Sequence, residues 1–259
     1  MSVSIVVMGA NGRMGATICR LAQDNDKFEL AGLVEREGCE DRLDYWGCEV
    51  STNLDELLAK LDAPVVIDFT VPAASLANAR VAAKHHAPIV IGTTGFSAEE
   101  YAELEGLAKQ SPMFWAPNTS LGVHALTQIL PELVRILGEE YDLEMVELHH
   151  NKKKDSPSGT AMRLAECLAK AKNWNLEDVA NYHREGIIGE RPKEEIGIQT
   201  IRGGDVVGVH TVYAMGPGER IEVTHQAHSR DTFAAGALRA ALWLAERKAG
   251  KLYSMSDMI

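Results

Sequence analysis

Cysteine is scarce in this chain, with four residues in 259 at positions 19, 39, 48 and 167. That is neither the density of a disulfide scaffold nor the paired short spacing of a zinc site, so the thiols are expected to be incidental ones in a reducing compartment. Basic residues are outnumbered, 26 Lys and Arg against 37 Asp and Glu, for a formal net charge of −11. This argues against nucleic acid or a membrane surface as the main partner, since both demand a basic footprint. No apolar run reaches the roughly 20 residues of a bilayer-spanning helix. At the amino end no cationic region precedes an apolar core and no cleavage site follows one; Val3-Ser4-Ile5-Val6-Val7-Met8 reads as a strand, and a cytoplasmic location is expected. Low-complexity stretches and solenoid repeats are also missing. What is present, 46% apolar and 24% charged residues, suits one large globular domain or two moderate ones.

The first half alternates short apolar runs with longer helical patterns, the signature of a parallel sheet wrapped by helices. Strands are expected at Ser4–Met8, Leu30–Glu35, Val65–Phe69, Ile89–Ile91 and Met113–Trp115, with Ala73–His86 and Ala98–Lys109 among the crossover helices. After about Asn118 the pattern changes. A helix over Leu121–Leu137, expected to bend at Pro131, leads to a strand at Asp142–Leu148 and a helix at Ser158–Lys172. Three β-rich runs follow with no helix between them, Ile196–Arg202, Val206–Met215 and Arg220–Ala227, which implies a mixed or antiparallel sheet. A last helix, Thr232–Ala249, carries an apolar stripe through Phe233, Ala237, Ala240, Ala241, Leu244 and Ala245. The expected fold is therefore α/β: a Rossmann-like doubly wound parallel-sheet domain from residues 1–120 and 230–259, plus a second α+β domain with a mixed sheet over 121–229.

Directly after the first strand stands Gly9-Ala10-Asn11-Gly12-Arg13-Met14-Gly15, followed by a helical pattern. A dinucleotide needs small residues there, because its pyrophosphate must approach backbone amides at a helix start. The spacing departs from the common fingerprint, with Ala10 at the usual first glycine. Glu35, twenty positions beyond Gly15, ends the second strand where an acid can accept from the adenosine ribose hydroxyls. Arg36 beside it can stack on adenine or meet a 2′-phosphate, so the pair suits NADH or NADPH. Gly92-Thr93-Thr94-Gly95 and Ala116-Pro117-Asn118-Thr119 follow the fourth and fifth strands, where both can line a nicotinamide.

The segment His149-His150-Asn151-Lys152-Lys153-Lys154-Asp155-Ser156-Pro157-Ser158-Gly159-Thr160 puts two imidazoles and three ammonium groups into six residues of an acidic chain. Ser158 is a helix N-cap candidate, so cationic side chains and the Gly159 and Thr160 amides converge on one anion. Neighbouring strand residues point to opposite faces, which gives His149 and His150 different jobs. No metal is expected: the lysines would repel a cation, and no acid or thiol stands at ligand spacing around the histidines.

Together these signals resemble the 4-hydroxy-tetrahydrodipicolinate reductase (dihydrodipicolinate reductase) family of the diaminopimelate route to lysine. Its most specific stretch, Glu-x-His-His-x-x-Lys-x-Asp-x-Pro-Ser-Gly-Thr-Ala, matches Glu147 to Ala161 at every defined position, and the likeness covers essentially the whole chain. Thr119, where the family usually has a larger apolar residue, and Val209, in the place of the glutamate of Gly-Glu-His-Thr, are departures. The resemblance implies NADH or NADPH as cofactor, a small dicarboxylate substrate and a homotetramer joined through the second domain. It also implies that His149 is proton donor, that Lys153 is second donor and charge partner, and that His150, Gly159 and Thr160 hold a substrate carboxylate. Cofactor contacts are expected from Gly9, Ala10, Asn11, Gly12, Arg13, Met14, Glu35, Arg36, Gly92, Thr93, Thr94, Ala116, Pro117, Asn118 and Thr119. Residues 1–120 and 230–259 would then bind nucleotide, and 121–229 would bind substrate and build the oligomer. A nucleotide sensor without turnover and a different dehydrogenase of the same plan are the competing readings; the presence of both His149 and Lys153 beside the helix start disfavours the first, and the doubled histidine followed by Lys153 and the Ser-Gly-Thr turn disfavours the second.

Overall fold

The computed structural model describes residues 2–39 and 43–259, and the chain divides into two units, Met1–Ser120 with Arg230–Ile259, and Leu121–Ser229. The first begins with β1 (Val3–Met8), α1 (Arg13–Gln23), β2 (Phe28–Val34), β3 (Glu49–Ser51), α2 (Leu54–Leu58), β4 (Val65–Asp68), α3 (Pro72–Lys84), β5 (Ile89–Ile91), α4 (Ala98–Leu107) and β6 (Met113–Trp115). The second holds α5 (Leu121–Leu137), β7 (Asp142–His149), α6 (Gly159–Ala171), α7 (Leu176–Val179), β8 (Ala180–Asn181), β9 (Ile196–Arg202), β10 (Gly208–Gly216) and β11 (Glu219–Ala227). The chain then returns to the first unit as α8 (Asp231–Leu244), β12 (Leu252–Tyr253) and α9 (Met255–Met258).

Seven parallel strands form the first sheet in the order β12-β6-β5-β4-β1-β2-β3. β4 and β5 are buried along their whole length, which runs of Val and Ile permit when helices cover both faces. Strand order reverses between β1 and β4, and ligands of open α/β sheets bind at the carboxyl ends beside such a switch. Local signals agree with this plan. Pro72 opens α3, and Ser97 and Glu100 form a reciprocal capping box on α4. α8 buries Ala234, Ala237, Leu238, Ala240, Ala241 and Leu244 in one core with Ile5, Val7, Ile67, Val90 and Phe114, which is what ties the carboxyl end to this unit.

The second sheet is mixed, in the order β11-β10-β7-β9-β8; β7 pairs antiparallel with β10 and parallel with β9. Burial alternates along β7, so Leu143, Met145, Glu147 and His149 share one face. Leu143 and Met145 pack with Leu126, Leu130 and Val134 of α5 and Leu164 and Leu168 of α6. α5 continues unbroken through Pro131. Several expected boundaries shift by a few residues, two of them informatively. α8 stops at Leu244, because Glu246-Arg247-Lys248 replaces the apolar stripe with exposed charge. Glu35 lies one residue beyond β2 rather than inside it.

Candidate active site

Gly12 is the N-cap of α1 and offers no side chain to the first amides of the helix, nor does any acid stand in the first turn. Those amides lack intrahelical partners and present partial positive charge. A Cβ at Gly12 would fall 2.9 Å from the Gly9 carbonyl oxygen, and one at Gly15 would fall 2.3 Å from the same atom. Only glycine therefore allows this tight turn and the close seating of α1 on β1, and the resulting cradle fits a pyrophosphate. Glu35 is buried, and the loop itself orients it: Oε2 accepts from the Asn11 amide at 3.0 Å and Oε1 from the Arg36 amide at 2.9 Å. Each oxygen keeps a lone pair for a ribose hydroxyl. The Arg36 side chain is 88% exposed beside it.

The remaining nucleotide-side candidates lie at the same carboxyl edge. Thr93, just after β5, pairs its hydroxyl with Ser75 Oγ at 2.6 Å, and its carbonyl accepts from Trp115 Nε1 at 3.0 Å. Thr94 and Pro117 are exposed, whereas Gly92 and Ala116 are buried. Asn118 Oδ1 accepts from the Ser120 amide. Thr119 is buried and donates its hydroxyl to the Phe233 carbonyl at 2.7 Å, so its side chain anchors the start of α8.

In the second unit β7 ends at His149, and the chain turns at once, the Lys153 amide donating to the His150 carbonyl at 3.2 Å. His149 is buried and His150 half-buried, so the two imidazoles part where the strand stops. The turn also separates the lysines. Lys152 and Lys154 are exposed, while Lys153 is half-buried with Nζ 2.9 Å from Asp155 Oδ2. Burial raises the Asp155 carboxyl, but Lys153 and the Gly159 amide outweigh that and hold it below its ordinary value. Ser158 caps α6, its Oγ accepting from the Ala161 amide at 3.1 Å. An acid carboxylate thus already lies between Lys153 and the helix start, where a substrate carboxylate would find the same donors.

Three further residues of this neighbourhood, to which the sequence assigns no site role, complete it. Glu147 is fully buried, and its Oε2 lies 2.6 Å from His149 Nδ1. Arg202 of β9 grips both of its oxygens at 2.8 Å. His210 of β10 stacks edge-on against His149, with ring centroids 5.1 Å apart, and meets Ser158 Oγ at 3.1 Å. Burial, with the His149 charge next, pushes His210 down to about 3, so it is neutral at working pH. The expectation that no acid stands at ligand spacing around the histidines is thus met by an exception, Glu147, which is held by His149 and Arg202. Glu147, two residues before His149 and so on its face of the strand, was legible as i, i+2. Arg202 was not, since only the register Arg202 opposite His149 brings it there. Among the described residues no three His, Cys, Asp or Glu side chains gather as a ligand set for a metal.

An uncapped glycine loop at the switch point of a parallel sheet, with a buried acid after the second strand, defines a nicotinamide-nucleotide oxidoreductase. The chain belongs to the dihydrodipicolinate reductase family: the model of its N-terminus matches residues 3–119 and that of its C-terminus residues 122–259. It is 68% identical to the 4-hydroxy-tetrahydrodipicolinate reductase of Oleidesulfovibrio alaskensis and 54% identical to that of Lawsonia intracellularis, over the full length of both chains in each case. Its fold is similar to that of the dipicolinate-bound dihydrodipicolinate reductase of Paenisporosarcina sp. TG-14, with a TM-score of 0.79, 22% identity and complete coverage of both chains.

Proposed function

We propose that this chain reduces 4-hydroxy-2,3,4,5-tetrahydrodipicolinate to tetrahydrodipicolinate with NADH or NADPH, water being lost, in the diaminopimelate route to lysine. The observation that carries this reading is the grouping of His149, Lys153 and the amino end of α6 within one unit, all facing the needs of a cyclic imine with two carboxylates. When bound, the reduced nicotinamide supplies a hydride. The substrate, after losing water, is a conjugated imine; as its carbon accepts the hydride, the electron pair moves to the ring nitrogen, which must take up a proton. His149 delivers that proton, an imidazole being suited to the task near neutral pH. Lys153 leaves Asp155 for the incoming carboxylate and acts as second donor. His150, Gly159 and Thr160 hold the same carboxylate, the last two through backbone amides and the Thr160 hydroxyl.

On the nucleotide side, Gly9 to Met14 cradle the pyrophosphate, Glu35 takes the ribose hydroxyls of NADH, and Arg36 pairs with the extra phosphate of NADPH. Gly92 to Thr94 and Ala116 to Asn118 line the nicotinamide, and Thr119 supports that wall from behind. The outward face of the mixed sheet, with Val146, Leu148, Tyr213 and Met215 half-exposed, supports assembly as a homotetramer through the second unit. Four free cysteines fit a cytoplasmic location.

The test is direct: the purified chain, enzymatically generated substrate and either reduced cofactor, with cofactor oxidation followed by absorbance. Substrate-dependent oxidation is expected, and none with either cofactor would contradict the reading.

A further inference from the structure

Glu147 is placed to do more than fill the space behind an imidazole. Its Oε2 takes His149 Nδ1 at 2.6 Å and Arg202 Nη1 at 2.8 Å; its Oε1 takes Arg202 Nη2 at 2.8 Å, the Ser158 amide at 2.9 Å and Thr200 Oγ1 at 3.4 Å. Through these contacts one fully buried carboxylate reaches the imidazole, the helix start and, through Arg202, the lysine loop of the second unit. His149 is bound directly. Ser158, which caps α6 and so sets the cradle of Gly159 and Thr160, is held by its amide. Arg202 Nη2 also donates to the Asp155 carbonyl at 2.8 Å, which fastens the loop that carries Lys153.

We propose that Glu147 is the positioning residue of the reaction, fixing the hydrogen on His149 Nδ1 so that only Nε2 exchanges a proton with substrate, and tying donor, lysine loop and carboxylate cradle to one anchor. This inference rests on the reaction proposed above. Burial by itself would raise the Glu147 carboxyl, but the hydrogen bonds from His149, Arg202 and the Ser158 amide hold it well below the usual carboxylate range. It is therefore an acceptor only, and the nitrogen that faces it must carry a hydrogen. Arg202 neutralises its charge throughout, so the proton that moves is never the one on Nδ1. The opposite nitrogen has room: a Cβ on Gly208 would come within 3.0 Å of His149 Nε2, and glycine leaves that approach clear.

The groups that face His149 are Glu147 on its own strand, Arg202 from β9 and His210 from β10, with His225 of β11 directly opposite His210 and the Lys153 charge acting on that same ring. Only Glu147 carries negative charge among them.

The experiment compares the wild-type enzyme with Glu147→Gln and Glu147→Asp, each labelled with nitrogen-15 at histidine, the His149 signals being assigned by their loss in His149→Gln. In Glu147→Gln we expect kcat to fall about 10²-fold with cofactor KM unchanged. We also expect the Nδ1–H form of His149, dominant in the wild type, to give way to the Nε2–H form. Glu147→Asp keeps the acceptor and should keep the Nδ1–H form while losing kcat; if Glu147→Gln does not fold, the imidazole spectrum and kcat of Glu147→Asp decide. An unchanged His149 tautomer together with wild-type kcat in the folded variants overturns the inference. Failure of the wild-type chain to turn over substrate would sink the proposed reaction, yet the nitrogen spectra would still test the role of Glu147.

Discussion

Lys153 differs from the lysines on either side in being half-buried and paired with Asp155, and this decides which of the three matters. A charge-assisted contact to an anion is worth about 1.5–3 kcal/mol, so Lys153→Ala should raise the substrate KM at least tenfold and lower kcat. The same change at Lys152 or Lys154 should do little beyond slowing capture of a dianion at low salt. Steady-state kinetics of the three variants checks the contrast, and an unchanged KM in Lys153→Ala would exclude direct carboxylate contact. Arg36 belongs to the same scale. Exposed and next to Glu35, it should favour NADPH, so Arg36→Ala should raise KM for NADPH more than for NADH. Equal changes for both cofactors would remove the 2′-phosphate role.

At the scale of elements, Ser158 links packing to chemistry. It caps α6, and its amide is held by Glu147, so Ser158→Ala should cost about 1 kcal/mol of stability from the lost cap and loosen the cradle. Calorimetry against substrate KM separates the two effects. Glu147 gives this region a pH signature. Its folded carboxyl lies below the ordinary 4.5, so the unfolded chain takes up the proton first; its contribution is complete above about pH 5 and is lost as pH falls below about 4. Urea unfolding from about pH 6 to about pH 3 should show that decline, and the Glu147→Gln variant should lose this part of it. These elements were also where sequence could be read furthest. Long periodic segments such as Leu121–Leu137 and Ile196–Arg202 show their bounds in their own side chains. β3, β8 and β12, at two or three residues, have no period to show, and only a neighbouring strand creates them. The site divides in the same way. The segment from His149 to Thr160 is local in sequence, whereas Arg202 and His210 arrive by sheet register and no spacing announces them.

For the whole molecule, the proposed function would have nucleotide and dicarboxylate held by different units and reacting with each other, so the stability each ligand confers should depend on the other. Pyridine-2,6-dicarboxylate, a planar substrate analogue, should raise Tm clearly only when NADH or NADPH is present. An equal rise without cofactor would show that the dicarboxylate site forms by itself. Assembly through the outer face of the mixed sheet should appear in light scattering as about four times the 28.3 kDa chain mass, and a monomer would rule it out.

The most direct test of the whole account is turnover by His149→Gln with both substrates saturating, alongside its NADPH affinity measured by fluorescence. General acid catalysis contributes about 10²–10⁴-fold, so kcat should fall within that range while cofactor affinity stays at the wild-type value. A variant that turns over at the wild-type rate would contradict the assignment of proton delivery to His149, and with it the reading of the cationic segment as the seat of the chemistry.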